Sequence, residues 1–234
     1  MDYVLRVRGR ISSRTLLITA AAIPLTGWAV HATVLLKQLA RADKDPLTGL
    51  LRRDAYTVRA RRILAQRGDD TIVIMVDADR FKEINDGLGH EVGDTILAAI
   101  GARLTAWAGP RAAVGRLGGD EFAVVLELKA DRRAQRLEQL VQMLHTPVTL
   151  ADGRTVDVGA SVGAAAPTSV GSLDLTVLQR AADAALYDGK HSGRAVLATT
   201  GHATVPSLNG RRLGRKGTAV FEGPREHPQL TKGD

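Results

Sequence analysis

The sequence contains no cysteine, and aromatic residues make up only 3% of its 234 residues. The lack of cysteine excludes disulfide bonds, a thiol nucleophile and a cysteine-ligated zinc site. The scarcity of aromatic rings argues against an extended surface for stacking nucleic-acid bases. The chain also lacks the G-x-x-x-x-G-K-[ST] motif, so P-loop nucleotide chemistry is unsupported. With 44% hydrophobic and 24% charged residues, it nevertheless has the composition of an ordinary globular protein.

The basic charge of the chain lies at its two ends. The formal net charge is +7. Residues 1–44 contain seven basic and two acidic side chains, and residues 201–234 contain six basic and three acidic ones. The remaining central region, residues 45–200, therefore carries a net charge of −1. This distribution argues against a basic nucleic-acid-binding domain, and we expect no nucleic acid among the partners.

An uncharged segment of 21 residues runs from Leu16 to Leu36. At about 1.5 Å per residue, a helix of this length just crosses a hydrocarbon core of roughly 30 Å. We predict a basic segment over residues 1–14 and an apolar, membrane-associated helix over residues 15–40. Alternatives are a signal peptide cleaved near residues 30–32 and a buried or dimer-forming helix. The expected location is the cell membrane, with the rest of the chain in the cytoplasm; a soluble cytoplasmic protein is the alternative.

Strand-like and helix-like periodicity alternate through the central region, which predicts an α/β or α+β sheet domain. Residues 71–76 form a β-branched run typical of a strand buried on both faces. Residues 199–234 lack hydrophobic periodicity and predict a disordered basic tail. The predicted helices are 54–66, 93–106, 131–144 and 173–187, and the predicted strands are 71–76, 114–117, 121–126 and 155–164.

Two acidic clusters lie at predicted strand ends. Asp77-Ala78-Asp79 follows the buried strand, and Asp120-Glu121 follows Gly118-Gly119 in a predicted hairpin. Carboxylates at neighbouring strand ends are suited to Mg²⁺, which takes oxygen ligands and keeps contacts to substrate phosphates. Taken singly, each cluster is better explained as a solvated strand end. Together, with basic residues nearby, they favour a nucleotide site.

Four motifs in order resemble the GGDEF family, the diguanylate cyclases. RLGGDEF spans Arg116–Phe122, and DPLTGL spans Asp45–Leu50. VDADRFKEINDGLGHEVGD spans Val76–Asp94, and YDGKHSGR spans Tyr187–Arg194. The resemblance implies an α+β domain over residues 41–198, with a central, mostly antiparallel sheet flanked by helices. This fold is related to nucleotidyl cyclases and polymerase palm domains, and here the apolar N-terminal helix would precede it.

The resemblance also implies roles for individual residues. Asp77, Asp120 and the carbonyl of Ala78 match the metal ligands, for two Mg²⁺ ions per active site or Mn²⁺ in their place. Asp120 and Glu121 match the catalytic acids, and Glu121 either positions a metal or helps to deprotonate the ribose 3′-hydroxyl.

The residues matched to nucleotide binding divide into guanine and phosphate contacts. Asn85 and Asp94 match the guanine-binding pair, which suits the N1–H and N2–H₂ donors of that base. Adenine has no N1–H and would leave the carboxylate poorly paired, a penalty of about 10²–10⁴ in selectivity. The residues matched to phosphate contacts or to the turn over the nucleotide are Phe81, Lys82, Gly118, Gly119, Lys190 and Arg194.

The activity that the resemblance implies is the condensation of two GTP molecules into cyclic di-GMP and two pyrophosphates. It requires a homodimer, because each domain holds one GTP. The alternative is a catalytically weak module that binds GTP or cyclic di-GMP and regulates a partner. The family's R-x-x-D inhibitory motif is replaced by Gly109-Pro110-Arg111-Ala112. We therefore predict no product inhibition through that motif. The family's Asn-Arg pair after the first motif is Arg52-Arg53 here, which leaves the packing of that segment open.

Overall fold

The computed structural model describes residues 43–190 and 192–204, together with Trp28, His31 and Thr33. The chain divides into two compact units, Met1–Lys44 and Asp45–Asp234, and the elements described below belong to the second. Apart from Trp28, His31 and Thr33, which are helical and exposed, the predicted segments over residues 1–14 and 15–40 lie outside the described residues. No helix among the described residues is long and apolar enough to span a membrane.

Within the described residues, the strands form two sheets. They are β1 (Thr71–Ala78), β2 (Ala113–Gly118), β3 (Glu121–Glu127), β4 (Val148–Thr149), β5 (Thr155–Val156), β6 (Ala160–Ala165) and β7 (Ala195–Leu197). The central sheet has the order β2-β3-β1-β6-β7, and β4 pairs with β5 separately. Only β6 and β7 are parallel, so the central sheet is mixed and mostly antiparallel, as predicted.

Helices cover both faces of the central sheet. They are α1 (Arg53–Arg67), α2 (Phe81–Leu88), α3 (His90–Ala108), α4 (Ala130–Leu144), α5 (Pro167–Val170), α6 (Leu175–Gly189) and α7 (Thr200–Thr204). Helix α6 begins after Asp174, whose carboxylate accepts hydrogen bonds from the backbone amides of Thr176 and Val177 at 2.8 and 3.0 Å. This side-chain cap satisfies two amides that the first turn of a helix otherwise leaves unpaired.

The two-residue period of β1 divides the hydrophobic core into two layers. Ile72, Ile74 and Val76 pack with α3 and α4 on one face of the sheet. Val73 and Met75 pack with α1 and α6 on the other. The same period places Asp77, the next odd-numbered residue, on the face that α6 covers.

Helix α6 lies unusually close to the sheet at Gly163 in β6. A Cβ at this glycine would overlap the carbonyl oxygen of Ala182 and the backbone nitrogen of Leu186. The missing side chain therefore permits backbone-to-backbone packing, which fixes the height of α6 above the sheet and the position of its C-terminal end.

Three regions differ from the sequence-based predictions. The predicted strand 155–164 is wrong as a single strand: residues 155–156 belong to the small hairpin, and Ala160–Ala165 forms β6. The chain leaves the strand between them because the amide of Asp79 donates to the Gly159 carbonyl at 2.9 Å. Helix α2 was not predicted, since it is only eight residues long and none of its residues is fully buried, although Phe81 and Ile84 pack against the core. Helix α7 begins inside the predicted tail, and residues 205–234 lie outside the described residues.

Candidate active site

The acidic residues of two strands meet at one edge of the sheet. β1 ends where β3 begins, because the two strands are antiparallel, and Asp77 is the direct cross-strand partner of Glu121. The amide of Ala78 donates to the carbonyl of Asp120 at 3.2 Å. The structure therefore brings Asp77, Asp120 and Glu121 together, as the two clusters in the sequence indicate.

The closeness of these acids affects the ionisation of Asp120. The pKa of Asp120 is raised above its ordinary value, first by burial and then by the negative charges of Asp77 and Glu121. The positive charge of Lys190 acts in the opposite direction. Neighbouring like charges destabilise one another unless a cation lies among them. The edge of the sheet is therefore electrostatically suited to a cation.

Lys190 is the cation that the structure places there. Its Nζ lies 3.0 Å from Oδ1 of Asp77. The Asp77 side chain is only 14% exposed, whereas that of Lys190 is 37% exposed. Lys190 follows the last residue of α6, and its amide donates to the Tyr187 carbonyl at 3.1 Å. The close packing of α6 at Gly163 thus determines the position of the Lys190 backbone.

The turn between β2 and β3 is held by an arginine from its own hairpin. Arg116 Nε donates to the Gly119 carbonyl at 2.9 Å, and its Nη1 lies 3.2 Å from Asp45 Oδ1. Gly119 has a φ of 47°, a left-handed conformation that favours glycine. Arg53 Nη2 donates to the Leu117 carbonyl at 2.8 Å. The Arg52-Arg53 pair, which differs from the family's Asn-Arg pair, is therefore in contact with the hairpin.

Asp45 is the charged partner that holds Arg116 in position. Its Oδ1 accepts hydrogen bonds from the amide and the hydroxyl of Thr48 at 2.9 and 2.7 Å. Partial burial opposes ionisation of Asp45, but the hydrogen bonds from Thr48 and Arg116 outweigh it and lower the pKa. The DPLTGL motif and the RLGGDEF motif are therefore joined by side chains, a link that neither motif indicates alone.

The predicted guanine-binding residues lie on α2 and α3. Asn85 is half-buried, and its Oδ1 is a buried atom without a hydrogen-bond partner. A Cβ at Gly93 on α3 would overlap this oxygen and lie 3.2 Å from Cε2 of Phe81. Asp94 follows Gly93 directly and is exposed. An unpaired buried oxygen is unfavourable by itself, which is typical of a group that awaits a ligand donor.

Other predicted residues have less defined surroundings. Lys82, Asp94 and Arg194 are exposed, and within the described residues no hydrogen bond or ion pair joins their side chains to Asp77 or Lys190. Phe81 is half-buried and packs against the core. Arg80, just before it, has a left-handed φ of 52°, the only positive value for a non-glycine residue in the described chain. This conformation turns the backbone from β1 into the start of α2.

The side chain of Asp79 is hydrogen-bonded to β6. Its Oδ1 accepts a hydrogen bond from the Ser161 hydroxyl at 2.6 Å. A Cβ at Gly159 would lie 2.9 Å from its Oδ2. Asp79 therefore fixes the loop after β1, as expected of a structural residue.

The donor set fits a divalent metal that arrives with a phosphate ligand. Within the described residues, no three acidic or histidine side chains converge as a complete protein cage. Mg²⁺ commonly binds through one or two carboxylates plus substrate phosphates, and it prefers hard oxygen donors. Asp77, Asp120 and the Ala78 carbonyl provide such donors. The remaining ligands must come from substrate and water.

A cationic groove lies at the opposite end of β3. It has a volume of about 830 Å³ and includes the Gly109-Pro110-Arg111-Ala112 turn. Arg59 Nη2 donates to the Pro110 carbonyl at 2.7 Å. Gly109 ends α3 with a φ of 78°, so the position of the family's arginine is taken by a residue in a left-handed turn. The basic side chains lining the groove are Arg59, Arg67, Arg111, Lys129 and Arg132.

Comparisons with known proteins identify relatives along most of the chain. An uncharacterised 19.3 kDa protein from the repSA 5′ region of Streptomyces ambofaciens is 42% identical over 175 residues, covering 75% of this chain and 93% of that protein. Diguanylate cyclase TpbB from Pseudomonas aeruginosa strain UCBPP-PA14 is 34% identical over 178 residues. That match covers 74% of this chain but only 39% of TpbB.

Solved structures have the same fold. The GGDEF domain of TpbB from P. aeruginosa PAO1 aligns with a TM-score of 0.60 at 34% identity, covering 68% of this chain and 96% of that chain. The coiled coil and GGDEF domain of DgcB from Caulobacter crescentus, in complex with c-di-GMP, aligns with a TM-score of 0.65 at 27% identity. It covers 77% of this chain and 99% of that chain. The family model described as "Diguanylate cyclase, GGDEF domain" matches residues 42–196. With the paired acids on β1 and β3, these matches establish that the chain belongs to the GGDEF domain family.

Proposed function

We propose that the protein is a diguanylate cyclase, which condenses two GTP molecules into cyclic di-GMP and two pyrophosphates. The observation that carries the proposal is the acidic edge formed by Asp77, Asp120 and Glu121, with Lys190 beside it. The family's cyclases generally use divalent metal ions. All three acids are intact in this sequence, which favours catalysis over a degenerate binding role.

Each group at the edge has a role in this reaction. Asp77, Asp120 and the Ala78 carbonyl hold the metal, and Glu121 positions it or accepts the proton of the 3′-hydroxyl. Bound Mg²⁺ or Mn²⁺ lowers the pKa of the attacking hydroxyl and stabilises charge on the leaving pyrophosphate. Asn85 and Asp94 bind guanine. Phe81, Lys82, Lys190 and Arg194 bind and orient the triphosphate, and Gly118-Gly119 lets the backbone approach it.

The reaction requires two copies of the chain. Cyclic di-GMP contains two nucleotides joined in antiparallel orientation, whereas one domain provides one nucleotide site. We propose that two domains face each other as a homodimer during catalysis. Membrane association through residues 16–36, with the domain in the cytoplasm, would concentrate the two copies on one surface. A soluble cytoplasmic protein is the alternative.

The test is synthesis of cyclic di-GMP by the full chain from GTP and Mg²⁺. Asp120→Asn, which removes one charge from the acidic edge, is expected to lower the rate by at least about 10²-fold. Asp152→Asn is the matched control, because Asp152 pairs with Arg154 on the exposed β4–β5 turn. It should retain the wild-type rate. Equal rates for wild type and Asp120→Asn would refute the proposal.

We further propose that the R-x-x-D type of product inhibition is absent. Gly109 and Ala112 stand at the two charged positions of the motif, and neither has a side chain that can bind cyclic di-GMP through charge. Micromolar cyclic di-GMP should therefore leave the initial rate unchanged at saturating GTP. A clear fall in rate that GTP does not overcome would contradict this expectation.

The alternative is a binding module that holds GTP or cyclic di-GMP and regulates a partner. The observation that favours it is the buried, unpaired Oδ1 of Asn85, which suits nucleotide binding whether or not catalysis follows. A full chain that binds GTP with Mg²⁺ but forms no cyclic di-GMP at high protein concentration would support this function instead.

A further inference from the structure

Lys190 contacts the acidic edge at the place where a cation is needed. Its Nζ is 3.0 Å from Asp77 Oδ1, and its charge is close enough to Asp120 to favour ionisation of that residue. Asp77 and Asp120 are the two side chains assigned to the metal. The ammonium group of Lys190 therefore neutralises part of the negative charge that a metal would neutralise.

The two partners of this ion pair differ in how readily they can move. Asp77 is on a central strand, paired with β3 on one side and β6 on the other, and its side chain is 14% exposed. Lys190 lies just beyond the end of α6 with its side chain 37% exposed. A lysine side chain has a flexible stem of four carbons and an ammonium group with three N–H donors. Its ammonium can therefore turn to a new acceptor while its backbone stays in place.

We infer that Lys190 is a cation stand-in: it occupies Asp77 in the nucleotide-free protein and transfers to the triphosphate when metal and nucleotide enter together. The inference rests on the proposed function, because it requires Asp77 to hold a metal. Metal alone must displace an ammonium that gains no new acceptor. When metal and nucleotide bind together, the phosphate oxygens accept hydrogen bonds from the displaced ammonium. Lys190 and Asp77 then each have a partner of opposite charge, as they do in the ion pair.

This exchange predicts effects of opposite sign when Lys190 is replaced. Lys190→Gln removes the competitor of the metal, so the affinity for metal alone should rise. The same change removes a phosphate donor, so the affinity for nucleotide with metal should fall. A lysine that only binds phosphate, or only stabilises the fold, would not produce this pair of changes.

The experiment measures Mn²⁺ binding by the purified full chain, using the electron paramagnetic resonance signal of free Mn²⁺. Loss of a partly exposed ion pair should make Mn²⁺ binding by Lys190→Gln about fivefold tighter than wild type. With 3′-deoxy-GTP, which cannot cyclise, the variant should bind the Mn²⁺–nucleotide complex about tenfold more weakly. Lys190→Arg keeps the positive charge and should bind Mn²⁺ alone as wild type does.

Arg180→Gln is the matched control. It removes one positive charge from an exposed residue of α6, the helix that Lys190 follows, and within the described residues no ion pair joins Arg180 to Asp77. Its Mn²⁺ affinity without nucleotide should stay within about twofold of wild type. An equal rise for Arg180→Gln and Lys190→Gln, or no rise for Lys190→Gln, would overturn the inference. If wild type binds no Mn²⁺ even with 3′-deoxy-GTP, the proposed function fails and the inference fails with it. Mn²⁺–nucleotide binding by wild type without the rise overturns the inference alone.

Discussion

Single residues without side chains determine how the nucleotide-binding groups are placed. Gly93 leaves room for the amide of Asn85, because a Cβ there would overlap Asn85 Oδ1 and lie 3.0 Å from its Cγ. The neighbouring Phe81 ring is only slightly further away. Asn85 is therefore confined by α3, and the orientation of its amide depends on Gly93.

Replacing Gly93 by alanine should displace Asn85 and weaken guanine binding. We expect the dissociation constant of 3′-deoxy-GTP with Mg²⁺ to rise about tenfold, the effect of one displaced hydrogen bond to a buried group. Calorimetric titration measures it. Gly87→Ala is the control, because a Cβ at Gly87 on α2 meets nothing within 4 Å. Unchanged affinity for Gly93→Ala would show that Asn85 is not held in this way.

At the scale of elements, a buried arginine joins several segments at one end of the β1–β3 pair. Arg133 in the first turns of α4 is 6% exposed. Its guanidinium donates to the carbonyl oxygens of Leu128 at 3.1 Å and Asp69 at 2.7 Å, and to the Thr168 hydroxyl at 3.1 Å. A longer contact of 3.4 Å reaches the Thr71 carbonyl. The arginine thus ties α4 to α5 and to one end of the β1–β3 pair, where β1 begins and β3 ends.

Replacing Arg133 by methionine should keep its volume but leave these oxygens unpaired. The free energy of unfolding should fall by about 3 kcal/mol, since hydrogen bonds from a charged group are lost and their acceptors stay buried. Urea denaturation followed by circular dichroism gives this value. The adjacent Arg132 is exposed, and Arg132→Met should change it by less than about 0.5 kcal/mol. Similar losses for both variants would contradict the assigned role.

The elements also show which parts of the fold sequence patterns can predict. The run at residues 71–76 predicts β1 because a strand covered on both faces must be apolar throughout. Helix α2 escapes prediction because it is only eight residues long and none of its residues is fully buried. Residues 155–164 alternate continuously, yet the contact of Gly159 with Asp79, 80 positions away, ends one strand and begins another. Such a contact depends on tertiary structure.

At the candidate site, the acidic residues could be predicted from the sequence, but the contacts that position the site could not. Asp77, Asp120 and Glu121 stand in motifs that carry their chemistry. Arg116 gains its role from Asp45, which lies 71 positions earlier in the chain. Its local sequence indicates only a strand residue, so no periodicity points to the contact with Gly119. The same holds for Lys190, whose partner Asp77 lies on another element.

At the scale of the whole molecule, the proposed ligand site links segments from one end of the domain to the other. Ligand binding should therefore stabilise the domain against global unfolding. Mg²⁺ with 3′-deoxy-GTP at 100 times its dissociation constant adds about 2.7 kcal/mol. For a domain of this size we expect the melting temperature to rise by about 5–10 °C in a thermal scan.

The matching control uses 3′-deoxy-ATP with Mg²⁺ at the same concentrations. Adenine lacks the N1–H that Asp94 is proposed to accept, so this nucleotide should shift the melting temperature little. Equal shifts with the two nucleotides would argue against guanine recognition by Asn85 and Asp94.

The ion pair between Lys190 and Asp77 joins residues 113 positions apart, and this separation bears on how the protein is made. Asp77, Asp120 and Glu121 leave the ribosome well before α6 and its terminal lysine. Domains are synthesised from the N-terminus at about 5–20 residues per second, so the emerging chain carries the three acids for several seconds without Lys190. A product that stopped short of residue 190 would retain the acidic strands and lose their counter-charge. A late-translated residue of the domain therefore supplies the positive charge that neutralises an acid of its first strand.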